Sequence, residues 1–119
     1  MMTRLSPTDL LPLKPLEFSI LLALTEGNLH GYGIVKRIAE RDVGAVALAP
    51  GNLYVVLDRL MAAGLIDERR PRRQGNARRR YYGITPFGRQ VVANEAARIA
   101  DVMRTVRRLE ILPTGGAGR

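Results

Sequence analysis

The chain contains no cysteine and no tryptophan, and it has a single histidine. Without thiols it cannot build disulfides, thiolate metal sites, iron–sulfur clusters or a cysteine nucleophile. With His30 alone there is no imidazole pair, and any triad with a histidine base would have to run through that residue. No nucleophile-elbow pattern accompanies it. A phosphate-cradling loop is missing too: Gly31 and Gly33 stand too close together, and no Gly-Lys-Ser/Thr follows. The inventory argues against an enzyme and implies no cofactor and no metal. Aromatic residues make up only 5%, so flat walls for a planar ligand are scarce. Long apolar runs are also lacking. The stretch Ile20 to Leu24 falls well short of the ~18 residues of a membrane span. Asp9 and Glu17 are out of place in a secretory signal. These features predict a cytoplasmic chain away from membranes.

At 119 residues there is room for one domain and one long appended helix. A hydrophobic fraction of 46% and a mean hydropathy of -0.06 argue against wholesale disorder. Lys and Arg total 19 against 11 acidic residues, a net charge of +8. Such a balance points to a polyanionic partner, nucleic acid first and an anionic membrane surface second. Seventeen of the 19 are arginine, a bias that genomic base composition alone can produce. Where the charges fall therefore matters more than their number.

Met1 to Pro12 shows no sustained periodicity and predicts a flexible, extended N-terminal arm over residues 1–12. Pro15 fits the first turn of a helix, and Leu16, Ile20, Ala23 and Leu24 recur at helical spacing up to Gly27. A second helix is predicted from about Gly31 to Arg41, with Asn28 or His30 placed to cap it. Val43 to Ala49 reads as a turn or a short edge strand. The third helix opens at Pro50, carries the stripe Leu53, Val56, Leu57 and Leu60, and stops at Gly64 as a left-handed cap. Projection at ~100° per residue leaves Gly51, Val55, Asp58, Arg59 and Ala62 facing outward. Two strand-like segments, Leu65 to Arg70 and Arg79 to Thr85, flank the turn-forming stretch Pro71 to Arg78. Thr85-Pro86 then caps a last helix, predicted over 86–112 and roughly 40 Å long at ~1.5 Å per residue. On it Val92, Ile99 and Val106 recur every seven residues, with Ala96, Val102, Met103 and Leu109 filling in, a stripe suited to another helix. The segment 113–119 holds three glycines and predicts a disordered tail.

Three helices, a hairpin and a closing helix follow the order of a winged helix-turn-helix domain (residues 13–85), α+β but mainly α, with a C-terminal dimerisation helix. In that arrangement the third helix enters a DNA major groove and the hairpin lies along the backbone. Charge placement agrees: Leu65 to Arg80 carries seven arginines against Asp67 and Glu68, +5 of the total +8. The competing reading is a merely solvated basic hairpin. Four short motifs, in order, sharpen the picture. They are His30-Gly31-Tyr32-Gly33; Gly51-Asn52-Leu53-Tyr54; Arg59-Leu60 with Gly64-Leu65-Ile66; and Arg80-Tyr81-Tyr82-Gly83-Ile84-Thr85-Pro86-Phe87-Gly88. From about Leu13 to Glu110 the chain resembles the PadR family of bacterial transcriptional regulators, in its short form with a single C-terminal helix. The resemblance implies a homodimer that binds double-stranded operator DNA, usually as a repressor. It leaves room for a small-molecule effector of unstated chemistry.

The resemblance and the projection together nominate Gly51, Asn52, Tyr54, Val55 and Arg59 on the third helix, and Arg72, Arg73, Arg78 and Arg79 on the hairpin, as DNA contacts. Each has a plainer alternative. Asn52 either reads a base edge or satisfies a helix N-terminal amide, and Tyr54 either reaches a phosphate or packs half-buried on the helix flank. Arg59 either faces DNA or pairs with a carboxylate. His30 is read as a structural cap rather than a ligand, and one of Tyr81 and Tyr82 should point inward. Where many members of the family carry basic residues, this chain has Val55 and Asp58. Valine suits a thymine methyl, whereas aspartate near phosphate is repelled. More of the affinity is thus expected from the hairpin arginines. The rival reading is an RNA-binding or ribosome-associated basic protein, for which Tyr81 and Tyr82 are the only stacking platform on offer.

Overall fold

The computed structural model describes residues 6–41, 50–70 and 79–113. The elements run α1 (Pro15–Thr25), β1 (Leu29–His30), α2 (Gly31–Arg41), α3 (Pro50–Ala62), β2 (Ile66–Arg69), β3 (Tyr81–Ile84) and α4 (Pro86–Arg108). The architecture is α+β, mainly α, in winged-helix order.

α1 is the centre of the domain. It is apolar on nearly every side, and Ile20, Leu21, Ala23 and Leu24 are all buried. Such a helix needs cover all round, and α2, β3 and α4 supply it. Its start is fixed by Glu17, whose Oε1 accepts from the Lys14 backbone N–H at 3.0 Å and so satisfies an amide that the helix cannot. α2 presents Ile34 and Ile38 to the core, and α3 presents Leu53, Val56, Leu57 and Leu60. α3 ends as the sequence predicts: Gly64 adopts φ +80°, its N–H donates to the Met61 carbonyl, and Leu65 N–H donates to the Leu60 carbonyl. This paired closure favours glycine because a side chain strains the left-handed backbone.

The sheet order is β1-β3-β2, antiparallel throughout, with Ile66 opposite Ile84, Arg69 opposite Tyr81, and Leu29 opposite Tyr82. The hairpin strands are shorter than predicted, and β1 was not anticipated: a two-residue strand is too short to show a period. Tyr82 is buried while Tyr81 is half-buried, the alternation expected of a strand. Thr85 then caps α4. Its Oγ1 accepts from Gly88 N–H at 2.9 Å and lies 2.7 Å from the Gly64 carbonyl, to which it donates.

Three expectations need correction. Residues 6–12 are not an extended arm. Ser6 to Leu11 close a turn, with Asp9 N–H donating to the Ser6 carbonyl at 3.0 Å, and Leu10 and Leu11 pack on the core. α4 stops at Arg108 rather than at 112, because Glu110 takes a left-handed φ of 57°. Val92, expected to open the dimerisation stripe, is buried in the domain's own core beside Val91; at that point α4 still lies on the domain. The segments predicted as an edge strand or turn (43–49), the hairpin tip (71–78) and most of the tail (114–119) lie outside the described residues.

Among the described residues, the fold also buries one carboxylate. Glu95 on α4 is 1% exposed. Its Oε2 accepts from the Leu13 backbone N–H at 3.0 Å, and its two oxygens take Arg98 Nε at 2.6 Å and a second guanidinium nitrogen at 3.1 Å. The Arg98 hydrogen bond holds its carboxyl below the usual glutamate range; burial opposes this, and the Leu13 amide assists. α4 is thereby tied to the chain entering α1.

Candidate nucleic-acid interface

α3 is two-faced by construction. With its four apolar residues turned inward, Asn52, Tyr54, Val55, Asp58 and Arg59 are left on the solvent side. Val55 is 57% exposed, which leaves its methyl groups open to contact. Gly51 lies in the first turn of the same helix. Tyr54 takes the packing position named for it on the helix flank. It is half exposed, yet its hydroxyl rests where a Cβ on Gly31 would stand, 2.6 Å from the ideal Cβ position. Gly31 is therefore glycine so that α2 and α3 can approach through that ring. Arg59 sits 3.7 Å from Glu17 on α1, so the carboxylate reading of this residue describes its position.

The hairpin sorts its arginines by role. Arg69 pairs with Asp67 and donates to the Ile84 carbonyl at 3.1 Å, which commits it to the sheet. Arg80 pairs with Glu68 at 3.0 Å and lies 6.0 Å from the Tyr82 ring centre. The Glu68 hydrogen bond raises its pKa first, with Tyr82 and the Glu68 charge adding to it. Arg70 is exposed where the hairpin leaves the sheet. Arg79 reaches His30, its Nη1 standing 2.7 Å from Nε2. Arg72, Arg73 and Arg78 lie outside the described residues. The +5 of the hairpin is thus not one undivided patch: two of its arginines are spent on the strands themselves.

His30 is where helix, sheet and hairpin meet. Its Nδ1 accepts from Gly33 N–H at 3.1 Å, which makes it the cap of α2. Tyr81 meets the ring edge-on at 5.3 Å and Tyr32 stacks at 6.4 Å. Burial, then the Arg79 charge, hold the imidazole below its usual pKa. Sequence reasoning found the cap but not the arginine, which sits 49 residues away. It also left Tyr32, 69% exposed, out of the candidate set.

The remaining candidates form a separate surface. Along α4, Ile99, Met103 and Val106 are half-buried, Ala96 is exposed, and Val102 and Leu109 are 47% and 58% exposed. Leu109 occupies the C-cap rather than the helix. Among the described residues no helix is long and apolar enough to cross a membrane.

The family model of the transcriptional regulator PadR-like family matches residues 20–94, more than half of the chain. A PadR family transcription regulator from Clostridium difficile R20291 superposes with a TM-score of 0.70 at 23% identity, over 81% of this chain and 98% of its own. A PadR-like regulator from Bacillus cereus gives 0.69 at 24% identity, over 82% and 93% of the two chains. Bacillus subtilis PadR, solved in complex with operator DNA, gives 0.59 at 25% identity, over 68% of this chain and 46% of that one. A curated relative, an uncharacterized 37.1 kDa protein in transposon TN4556 of Streptomyces fradiae, is 40% identical over 81 residues. That match takes in 68% of this chain but 22% of the relative, so the chain spans about a fifth of that protein's length. With the four motifs in register and the family model covering both the helices and the sheet, the chain belongs to the PadR-like family of transcriptional regulators.

Proposed function

We propose that the chain represses transcription by binding operator DNA as a homodimer, with α3 in the major groove and the hairpin along the phosphate backbone. The observation that carries this reading is the solvent face of α3. It sets Asn52 and the exposed Val55 side by side, while Arg70 and Arg79 are exposed at the ends of the hairpin strands. A groove edge offers what these residues match: amide-compatible base edges and thymine methyls. Phosphates on either side match the arginines. Bacillus subtilis PadR, solved in complex with operator DNA, supports DNA as the partner. A homodimer that reads a two-fold operator needs its two recognition helices on half-sites about one helical turn, ~34 Å, or a multiple of that apart.

The test is fluorescence anisotropy with duplexes tiled across the promoter nearest the gene, competed against structured RNA. One duplex should bind at least ~10³-fold more tightly than random sequence, and RNA should not displace it. Equal binding to every duplex, or preference for RNA, overturns the reading.

A further inference from the structure

Where α2 begins and the hairpin leaves β3, there is an open cleft of about 320 Å³ lined by His30, Gly31, Tyr32, Tyr54, Arg79 and Arg80. None of these residues is acidic. Of the carboxylates that act on the cleft's arginines, Glu68 is paired with Arg80 and Asp58 reaches that guanidinium through its charge. The cleft holds a mismatch in hydrogen bonding. A neutral imidazole has one lone pair to offer, and a guanidinium has only donors. His30 nonetheless faces two donors, Gly33 N–H at Nδ1 and Arg79 Nη1 at Nε2. If the lone pair serves Gly33, Nε2 carries the proton and points it at the guanidinium. If it serves Arg79, the Gly33 amide in the first turn of α2 loses its cap. An oxygen from outside removes the conflict. It can accept from Nε2–H and from Arg79 together, and Nδ1 then keeps the cap.

We propose that this cleft is a phosphate clasp in which the neutral His30 Nε2–H and the Arg79 guanidinium grip one backbone phosphate of the bound nucleic acid. The inference rests on the DNA-binding reading above, which already gives Arg79 to the phosphates, and adds His30 as its partner in that grip. Tyr81 and Tyr32 hold the ring in place from its edge and its face, and Tyr54 lines the opposite wall from α3. The same ring therefore caps α2 with one nitrogen and binds phosphate with the other. Its lowered pKa suits this division, because a protonated ring could no longer accept from Gly33.

Because the chain has one histidine, nitrogen NMR of the imidazole reports this site alone. The full chain is titrated with its best duplex. The ring is expected to settle on the Nε2–H tautomer as DNA binds, with both nitrogens shifting. In parallel, His30→Asn keeps an N-cap acceptor but does not reach the cleft. It should weaken DNA binding about tenfold per clasp, the weight of one hydrogen bond to a charged group. Its denaturation midpoint and salt slope should stay at the wild-type values. Arg79→Gln should instead lower the salt slope by about 0.9 per phosphate. Imidazole signals unchanged by bound DNA, or His30→Asn binding as tightly as wild type, overturn the clasp while leaving the DNA-binding reading intact. Failure to bind any duplex overturns both.

Discussion

Replacing Glu95 by alanine removes the side-chain acceptor of a buried backbone amide. The Leu13 amide, buried against α4, would be left without a partner, and an orphaned buried donor costs about 1–3 kcal/mol. A cavity the size of the lost carboxylate adds roughly 1 kcal/mol. The Arg98 side chain is 42% exposed and can return to water, so its loss contributes little. The expected destabilisation is about 2–4 kcal/mol by these terms together. Glu95→Gln retains one carbonyl but turns an amide N–H₂ towards a donor, and should cost roughly half as much. Acid gives an independent check. Because the folded carboxyl titrates below its ordinary value, its stabilisation is fully present above the unfolded glutamate pKa. It is lost as pH falls through the lowered folded value. Wild type should therefore lose stability in that acid window more steeply than Glu95→Gln does. Urea denaturation at fixed protein concentration, repeated from neutral to acid pH, measures both effects. A cost for Glu95→Ala below ~0.5 kcal/mol, within the range of an ordinary surface change, would refute the reasoning. So would superimposable acid profiles.

Four other outcomes are expected. Gly88→Ala should destabilise by at least ~1–3 kcal/mol in the same assay, because its Cβ would lie 2.1 Å from the Leu65 carbonyl oxygen, a backbone atom that cannot swing away; a neutral result would mean that α4 is free to shift. Changing Asn52 or Val55 should re-rank operator variants by ~1–3 kcal/mol per good contact, whereas uniform weakening would assign them to packing. Arg72→Ala with Arg73→Ala should weaken all DNA binding and shrink the salt slope of a dimer by up to about 3.6 units; an unaltered slope means that the hairpin tip does not touch phosphate. Val102→Asp with Val106→Asp, which leaves the Glu95–Arg98 tie in place, should yield a folded monomer by sedimentation, and a surviving dimer would move the interface elsewhere.

What could be read from sequence was whatever local chemistry decides. α3 begins at a proline and closes at a glycine, and the Gly64 closure and the Thr85–Gly88 cap bond depend only on neighbours within five residues. What could not be read depends on partners far along the chain. Glu95 looks like any polar residue of an exposed helix until Leu13, 82 residues earlier, is laid beside it. Val92 shares its heptad position with Ile99 and Val106, and spacing alone cannot tell which of the three is covered by the domain. Arg59 lies on the predicted outward face and yet leans towards Glu17, because its length lets it reach α1 from there. The sequence could name candidate residues for the site. It could not show their division into arginines tied to the strands and an arginine at the cleft.

The course of α4 has an evolutionary consequence. The first part of the helix, with Gly88, Val91, Val92 and Glu95, is interior to the domain; the part from Ala96 to Arg108 makes no contribution to the buried core. One uninterrupted helix is thus divided into two stretches under unequal selection. Mutations in the first stretch are judged by whether the domain folds at all. Those in the second are judged only by what the helix meets outside, so they can drift, change partner preference or be recombined while the DNA-facing half of the molecule remains as it was. Under the proposed pairing through α4, a duplicated gene could in this way acquire a new pairing specificity within a few substitutions, and two paralogues could cease to cross-associate before their operators diverge.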